Sequence, residues 1–317
     1  MPTQFGYCCI NLTLSSHGIT TSRTMRKASF EKLGIVHASR LALENVQNLA
    51  QILQWNADHD IHVFRMGSGF FPWSSEYDIR QLPDFPHISD LLAQAGAFAR
   101  ETSQRLTFHP DHFVKLASLN DIVAMNSVQE INHHDEIFTL LGFPPSHVNC
   151  INIHVGQNFS LDTVERFIAR FHLLSPTAQQ RLVVENDDKA NAFSVRQLYT
   201  YLYQRIHTPI TFDYFHHEFH PDGLTSQEAA HLAAQTWDVR PLFHYSESKN
   251  LHENINGNPR AHSDYIRTHI DAYGLDIDVD LECKAKELAL LSYRKEHGLS
   301  PTSLLHDTSS SLSVGAI

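Results

Sequence analysis

Eight short runs of apolar and β-branched residues recur along the chain, each separated from the next by a longer stretch with helical spacing. This alternation restricts the fold more than any other feature. The runs are FGYCCIN from Phe5, HVFRMG from His62, RLTFHP from Arg105, VNCINIHVG from Val148, RLVVEND from Arg181, ITFDYFHH from Ile210, PLFHYS from Pro241 and LDIDVDLEC from Leu275. The connections are too long for hairpins, so neighbouring strands are expected to run parallel and to cross over through helices. Helices are predicted over 87–103, 121–141, 161–173, 195–207, 226–237 and 284–297. A further helical pattern sets Ile35, Val36, Leu49, Ile52 and Leu53 on one side, after a polar arm over 15–26. Eight strand–helix units are the count of a (β/α)8 TIM barrel, an α/β fold that accommodates 317 residues as one domain. The expected organisation is one barrel over 1–297 and a disordered Ser-rich tail over 298–317.

In such a barrel the C-terminal ends of all strands meet on one face, which is where active sites form. Polar residues suited to metal binding recur at those ends: His109, His154, Glu185, Asp213, His244 and Glu282. His216, three residues beyond Asp213, adds a second ligand just past the same strand. Glu185 and Glu282 follow apolar residues, where a buried carboxylate is costly unless paired, protonated or metal-bound. Imidazole and carboxylate donors without thiolate suit zinc, manganese or iron, and a bridging carboxylate permits more than one ion. Such a centre can activate water and stabilise the leaving oxygen of a phosphodiester, so hydrolysis is the natural chemistry.

The chain holds 23 histidines, so any single one is an ordinary hydrogen-bonded residue until its position argues otherwise. The His133–His134 pair, within a helical stretch, is read as surface or packing residues, and His62, at the start of a strand, as structural. No apolar run is long enough to span a bilayer and the N-terminus lacks a signal peptide, so a cytoplasmic protein without membrane contact is expected. Cys8, Cys9, Cys150 and Cys283 show no CxxC spacing and are read as reduced thiols. The net charge of −11 argues against a nonspecific basic nucleic-acid binder, although bound cations reverse the local sign of a carboxylate-rich site.

The segments GYCCINLTL, RLTFHPDHFVKLAS, NIHVG, LVVENDD, TFDYFHHEFHPDGL, FHYSES and DVDLECKAKELAL, in this order from about Phe5 to about His297, resemble the ultraviolet damage endonucleases. LVVENDD followed by DYFHH is the most specific part. The resemblance implies a barrel related to endonuclease IV, a divalent-metal cluster, and incision on the 5′ side of cyclobutane pyrimidine dimers and 6-4 photoproducts in damaged double-stranded DNA. Manganese is the metal implied, with zinc or magnesium as alternatives, in two or three copies. By position the ligands are His109, His154, Glu185, Asp213, His216, His244, His262 and Glu282, with Glu185 as the bridge and Glu185, His109, His244 and Glu282 as the catalytic set. Tyr7 and Asn11 match residues that contact the lesion.

Two positions depart from the family's pattern. HPDHF, with His112 and Phe113, stands where the family has HPGQ and an aromatic that probe the duplex. Leu242 stands where the family has a lysine that can be carboxylated and reach the metals, so a third ion is expected to bind more weakly unless Asp222, Asp264 or Glu247 replaces it. Arg23, Arg26, Lys27, Arg65, Phe70, Phe71, Trp73, Lys115 and Lys249 are further candidates for the DNA-facing loops, and the protein is expected to act as a monomer. An abasic-site endonuclease, a sugar isomerase and a lesion-binding protein that does not cut are the alternative readings.

Overall fold

The computed structural model describes residues 3–253 and 255–299, so the tail expected from 298 onward lies almost wholly outside the described residues. The eight predicted runs each form a strand: β1 (Gln4–Cys9), β2 (Val63–Met66), β3 (Arg105–Phe108), β4 (Ile151–His154), β5 (Leu182–Glu185), β6 (Ile210–Thr211), β7 (Leu242–Tyr245) and β8 (Asp278–Leu281). They pair in parallel in the order β6-β5-β4-β3-β2-β1-β8-β7. The remaining gap between β6 and β7 is bridged by the parallel pair Asp213↔His244 and by the amide of His244 donating to the carbonyl of Phe212 at 2.9 Å. This seam joins two of the residues expected at the site.

Helices cover the outside of the sheet where they were expected, at Phe85–Glu101, Asp121–Leu140, Leu161–Phe171, Ser226–Ala234 and Lys286–Glu296. The long pattern after the polar arm is helical over Lys27–Asp58. The stretch 195–207 departs from a uniform helix: a wider π turn at Tyr199–Tyr203 separates Val195–Leu198 from Gln204–Ile206. None of the helices among the described residues is long and apolar enough to cross a membrane.

Strand alternation sorts the side chains into two populations. Leu106, Phe108, Ile151, Ile153, Leu182 and Val184 join the main core beneath the helices. Val63, Cys150, Val183 and Leu242, with Trp237, form a separate apolar cluster. Two residues further along the same strands stand Arg65, Asn152, Glu185 and His244. The barrel interior therefore changes from an apolar plug to a polar layer within one step of the pleat. The polar layer lies toward the C-terminal ends, where an α/β barrel carries its chemistry.

The opposite end is held by buried cations. Arg181 is fully buried just before β5. It donates from Nε to Asp135 Oδ1 at 2.8 Å and from its terminal nitrogens to the carbonyls of Pro144 at 3.1 Å and Phe143 at 2.8 Å. Arg105, at the start of β3, donates to Asp278 Oδ2 at 3.0 Å and to the carbonyl of Arg240 at 2.8 Å. Removing one partner of such a pair strands the other charge in a poorly solvated place. Asp135→Ala is therefore expected to lower the free energy of unfolding by about 3–5 kcal/mol, measured by urea denaturation. A loss below about 1 kcal/mol would mean that Arg181 is satisfied by its carbonyl partners alone.

Candidate metal centre

Glu185 ends β5 and is buried, yet five polar groups converge on its carboxylate. Oε2 lies 3.1 Å from His109 Nε2 and 3.0 Å from His244 Nδ1, and it also accepts from the Asn152 side-chain amide. Oε1 lies 3.2 Å from His216 Nδ1 and 3.6 Å from His154 Nε2. The residues come from β3, β4, β5 and β7 and from the turn after β6, so only closure of the barrel assembles them.

Asp213 follows β6 and caps the short helix Tyr214–Phe219, its Oδ1 accepting from the amide of His216 at 2.7 Å. Asn186 fixes this turn to the end of β5. Its side-chain amide donates to the carbonyl of Asp213 at 3.0 Å, while its side-chain oxygen accepts from the amide of Asp213 at 2.8 Å. Because β5 and β6 share only two register pairs, this double bond sets where Asp213 and His216 stand. Glu282, just past β8, forms an ion pair with Arg65, its Oε1 2.6 Å from Nη2, and lies 3.3 Å from His244 Nδ1.

Several of these contacts are short without being hydrogen bonds. Glu185 Oε1, Asp213 Oδ2, His154 Nδ1 and both ring nitrogens of His244 are buried and have no hydrogen-bond partner among the described residues. Lone pairs that converge at such distances without a donor between them suit a shared cation better than a direct polar contact. Three sets of ligand atoms lie within 4.8 Å of one another: His109–Glu185–His244, His154–Glu185–His216 and Asp213–His244–Glu282. The donors are nitrogen and oxygen only, which fits divalent zinc, manganese or iron. Glu185 and His244 each belong to two sets.

The electrostatics agree. Burial works to raise the Glu185 pKa, but the imidazoles of His244 and His154 and the bonds from His109 and His216 hold it well below the ordinary range. Burial opposes the charge of Glu282 too, and Arg65 and His244 outweigh it. Burial opposes protonation of His216, but Asp213 and Glu185 raise its pKa well above normal. Protons and metal ions compete for these same lone pairs.

Beside the centre opens a cavity of about 430 Å³ whose wall includes His109, His154, His216 and His262 together with Lys115 and Arg260. His262 belongs to none of the three sets among the described residues. It stands on the cavity wall with Nδ1 3.0 Å from the carbonyl of Glu282, in the loop between β7 and β8. His112 and Phe113 lie in the loop after β3, their rings 4.0 Å apart and Phe113 71% exposed, so both are free to meet a ligand.

Tyr7 and Asn11, expected to contact the lesion, and Arg65, a candidate for the DNA-facing side, are all buried in this structure. Pleating turns Tyr7 away from the barrel interior, where its hydroxyl donates to Asn56 Oδ1 at 2.8 Å and it is fully buried. Asn11 donates to that hydroxyl at 3.1 Å and caps Leu12–Ser15. Arg65 is buried inside the barrel, serving Glu282 and, at 2.6 Å, Cys8 Sγ. Phe70 and Phe71 are core residues, and Arg23 is tied to Glu44 at 3.0 Å. Of the proposed substitutes at the third ion, Asp222 accepts from Ser194 Oγ at 2.7 Å and Glu247 accepts from the amides of Arg267 at 3.1 Å and Thr268 at 2.9 Å. Asp264 joins no ligand set among the described residues.

Sequence reading missed Asn152, Asn186, Asp187 and Asp280. Asn152 and Asp280 each stand two residues before a recognised ligand on the same strand, so the period of the strand was the available signal. Asp187 Oδ2, beyond the end of β5, lies 3.8 Å from His154 Nδ1.

The chain matches the UV-endonuclease UvdE family over residues 3–308. It is 29% identical over 299 residues to the UV-damage endonuclease of Schizosaccharomyces pombe, covering 90% of this chain and 48% of that protein, so it spans about half the length of that relative. The crystal structure of SacUVDE superposes with a TM-score of 0.80 at 28% identity, covering 94% of this chain and 99% of that one. Endonuclease IV from Thermus thermophilus shares the fold, with a TM-score of 0.55 at 14% identity over 80% of this chain and 95% of that one. With a family match along nearly its whole length, the chain belongs to the UV-endonuclease UvdE family.

Proposed function

We propose that the protein is a metal-dependent DNA repair endonuclease that hydrolyses a phosphodiester on the 5′ side of ultraviolet photolesions in duplex DNA. The observation that carries this reading is the convergence of His109, His154, His216 and His244 on the Glu185 carboxylate, at the edge of a cavity that bears Lys115 and Arg260. Two or three manganese ions are the proposed occupants, and zinc or magnesium would meet the same nitrogen and oxygen donors. Divalent ions bound there would lower the pKa of water and stabilise negative charge on the attacking and leaving oxygens.

The chain's own residues supply the rest. Lys115 and Arg260 offer positive charge to a phosphate entering the cavity, which matters in a chain of net charge −11. Asn152 and Asn186 hold Glu185 and Asp213 in place, so that the ligands are arranged before substrate arrives. Phe113 and His112 present flat, exposed rings beside the cavity, suited to stacking on bases that a photolesion has left poorly stacked.

Manganese-loaded protein is expected to nick irradiated plasmid and to leave undamaged plasmid intact, with a chelator abolishing the activity. Equal nicking of undamaged DNA would contradict lesion specificity, and nicking in excess chelator would contradict the metal requirement.

Replacing Glu185 with Gln keeps the shape of the side chain and removes its charge. The expected result is a loss of incision rate exceeding about 100-fold with a native circular-dichroism spectrum. Near-normal turnover would remove Glu185 from the reaction.

Phe113→Ala is expected to weaken binding to irradiated duplex by about 1–3 kcal/mol through lost stacking, with metal content unchanged. An unchanged dissociation constant in a fluorescence-anisotropy titration would assign the stacking role to another residue.

A further inference from the structure

Asp280 sits in the middle of β8, on the same face as Asp278 and Glu282. It is fully buried, and neither carboxylate oxygen has a hydrogen-bond partner among the described residues. Several other buried acids of the barrel are served. Asp278 takes Arg105 at 3.0 Å, Asp135 takes Arg181 at 2.8 Å, and Glu287 takes the amides of Leu12 at 2.8 Å and Thr13 at 2.7 Å. A charged carboxylate with no donor is among the costliest groups a protein can bury. A neutral one fares little better here, because its own proton lacks an acceptor.

The surroundings narrow what could satisfy it. Its register partners are His244 on β7 and Gly6 on β1, and Gly6 has no side chain to offer. Arg65 already serves Glu282 and Cys8 through Nη2. Two more unpartnered groups belong to the neighbouring ligand set: His244, through both ring nitrogens, and Asp213, through Oδ2. Below His244 on β7 stands Leu242, part of the apolar plug, so that strand brings no charge to the inner side of the centre.

We propose that Asp280, which belongs to none of the three ligand sets among the described residues, is a further carboxylate of the metal centre, its charge helping to hold the ion at the Asp213–His244–Glu282 set from behind those ligands, on the inner side of the barrel. This rests on the metal-dependent reading above. It deepens that reading by assigning the negative charge that position 242 does not supply to the next strand.

The test uses the full chain, stripped of metal and titrated with manganese while the free ion is followed by its paramagnetic resonance signal, together with thermal unfolding of the metal-free form. In Asp280→Asn one manganese site is expected to weaken at least tenfold while the others stay within twofold. The metal-free variant is expected to melt at the same or a higher temperature, because an uncompensated charge has been removed. Asp278→Asn serves as the contrast: it should lower the metal-free melting temperature and leave manganese binding unchanged. Asp280→Ser gives the same comparison if the amide variant fails to fold. Unchanged manganese affinity in the Asp280 variants, or a lowered metal-free melting temperature with affinity intact, would overturn the proposal and make Asp280 a structural partner of Arg65. Failure of the unaltered protein to bind manganese would overturn the metal-dependent reading along with it.

Discussion

A carboxylate buried among four imidazoles is stable only if something positive stands between them, and the upper half of this barrel is organised around that requirement. Glu185 reaches His109 and His244 with one oxygen and His154 and His216 with the other, so its position ties β3, β4 and β7 and the turn after β6 to the end of β5. Barrel closure depends on the same region. The seam between β6 and β7 is the bridge Asp213↔His244, made by two residues whose unpartnered side-chain atoms face the same centre. Fold and site are therefore coupled at one place: a shift at the seam would disperse ligands, and a change at the ligands would load the weakest part of the sheet.

The two ends of the barrel solve the problem of buried charge differently. At the N-terminal end Arg181 and Arg105 are matched by acids and by carbonyl groups. At the C-terminal end Glu282 and Asp280 both stand beside Arg65. The apolar plug of Val63, Cys150, Val183 and Leu242 separates these regimes. Such an imbalance costs stability in the absence of a ligand, which is how binding energy becomes folding energy at a metal site.

The strands were legible because each is a short apolar run bounded by turn residues, and all eight appear at the predicted places. The candidate ligands at the strand ends were legible for the same reason, since the last residue of a buried strand is where an acid or imidazole is anomalous. What period alone did not settle was which face a residue takes. Tyr7 and Cys8 are adjacent, and the pleat sends Tyr7 to Asn56 on the long helix and Cys8 to Arg65 inside the barrel. Arg65 was a candidate for the DNA-facing loops because long basic side chains usually reach solvent, but its neighbour is Glu282, a residue far away in sequence. Asp280 was overlooked because alternating acids on a strand resemble a solvated edge until the barrel closes around them.

The most direct test of this account is an anomalous diffraction map from crystals of the full chain grown with manganese. Manganese peaks are expected beside Glu185, within reach of His109 and His244 on one side and of His154 and His216 on the other. A map with no peak at Glu185, or with manganese held only by surface acids, would contradict it.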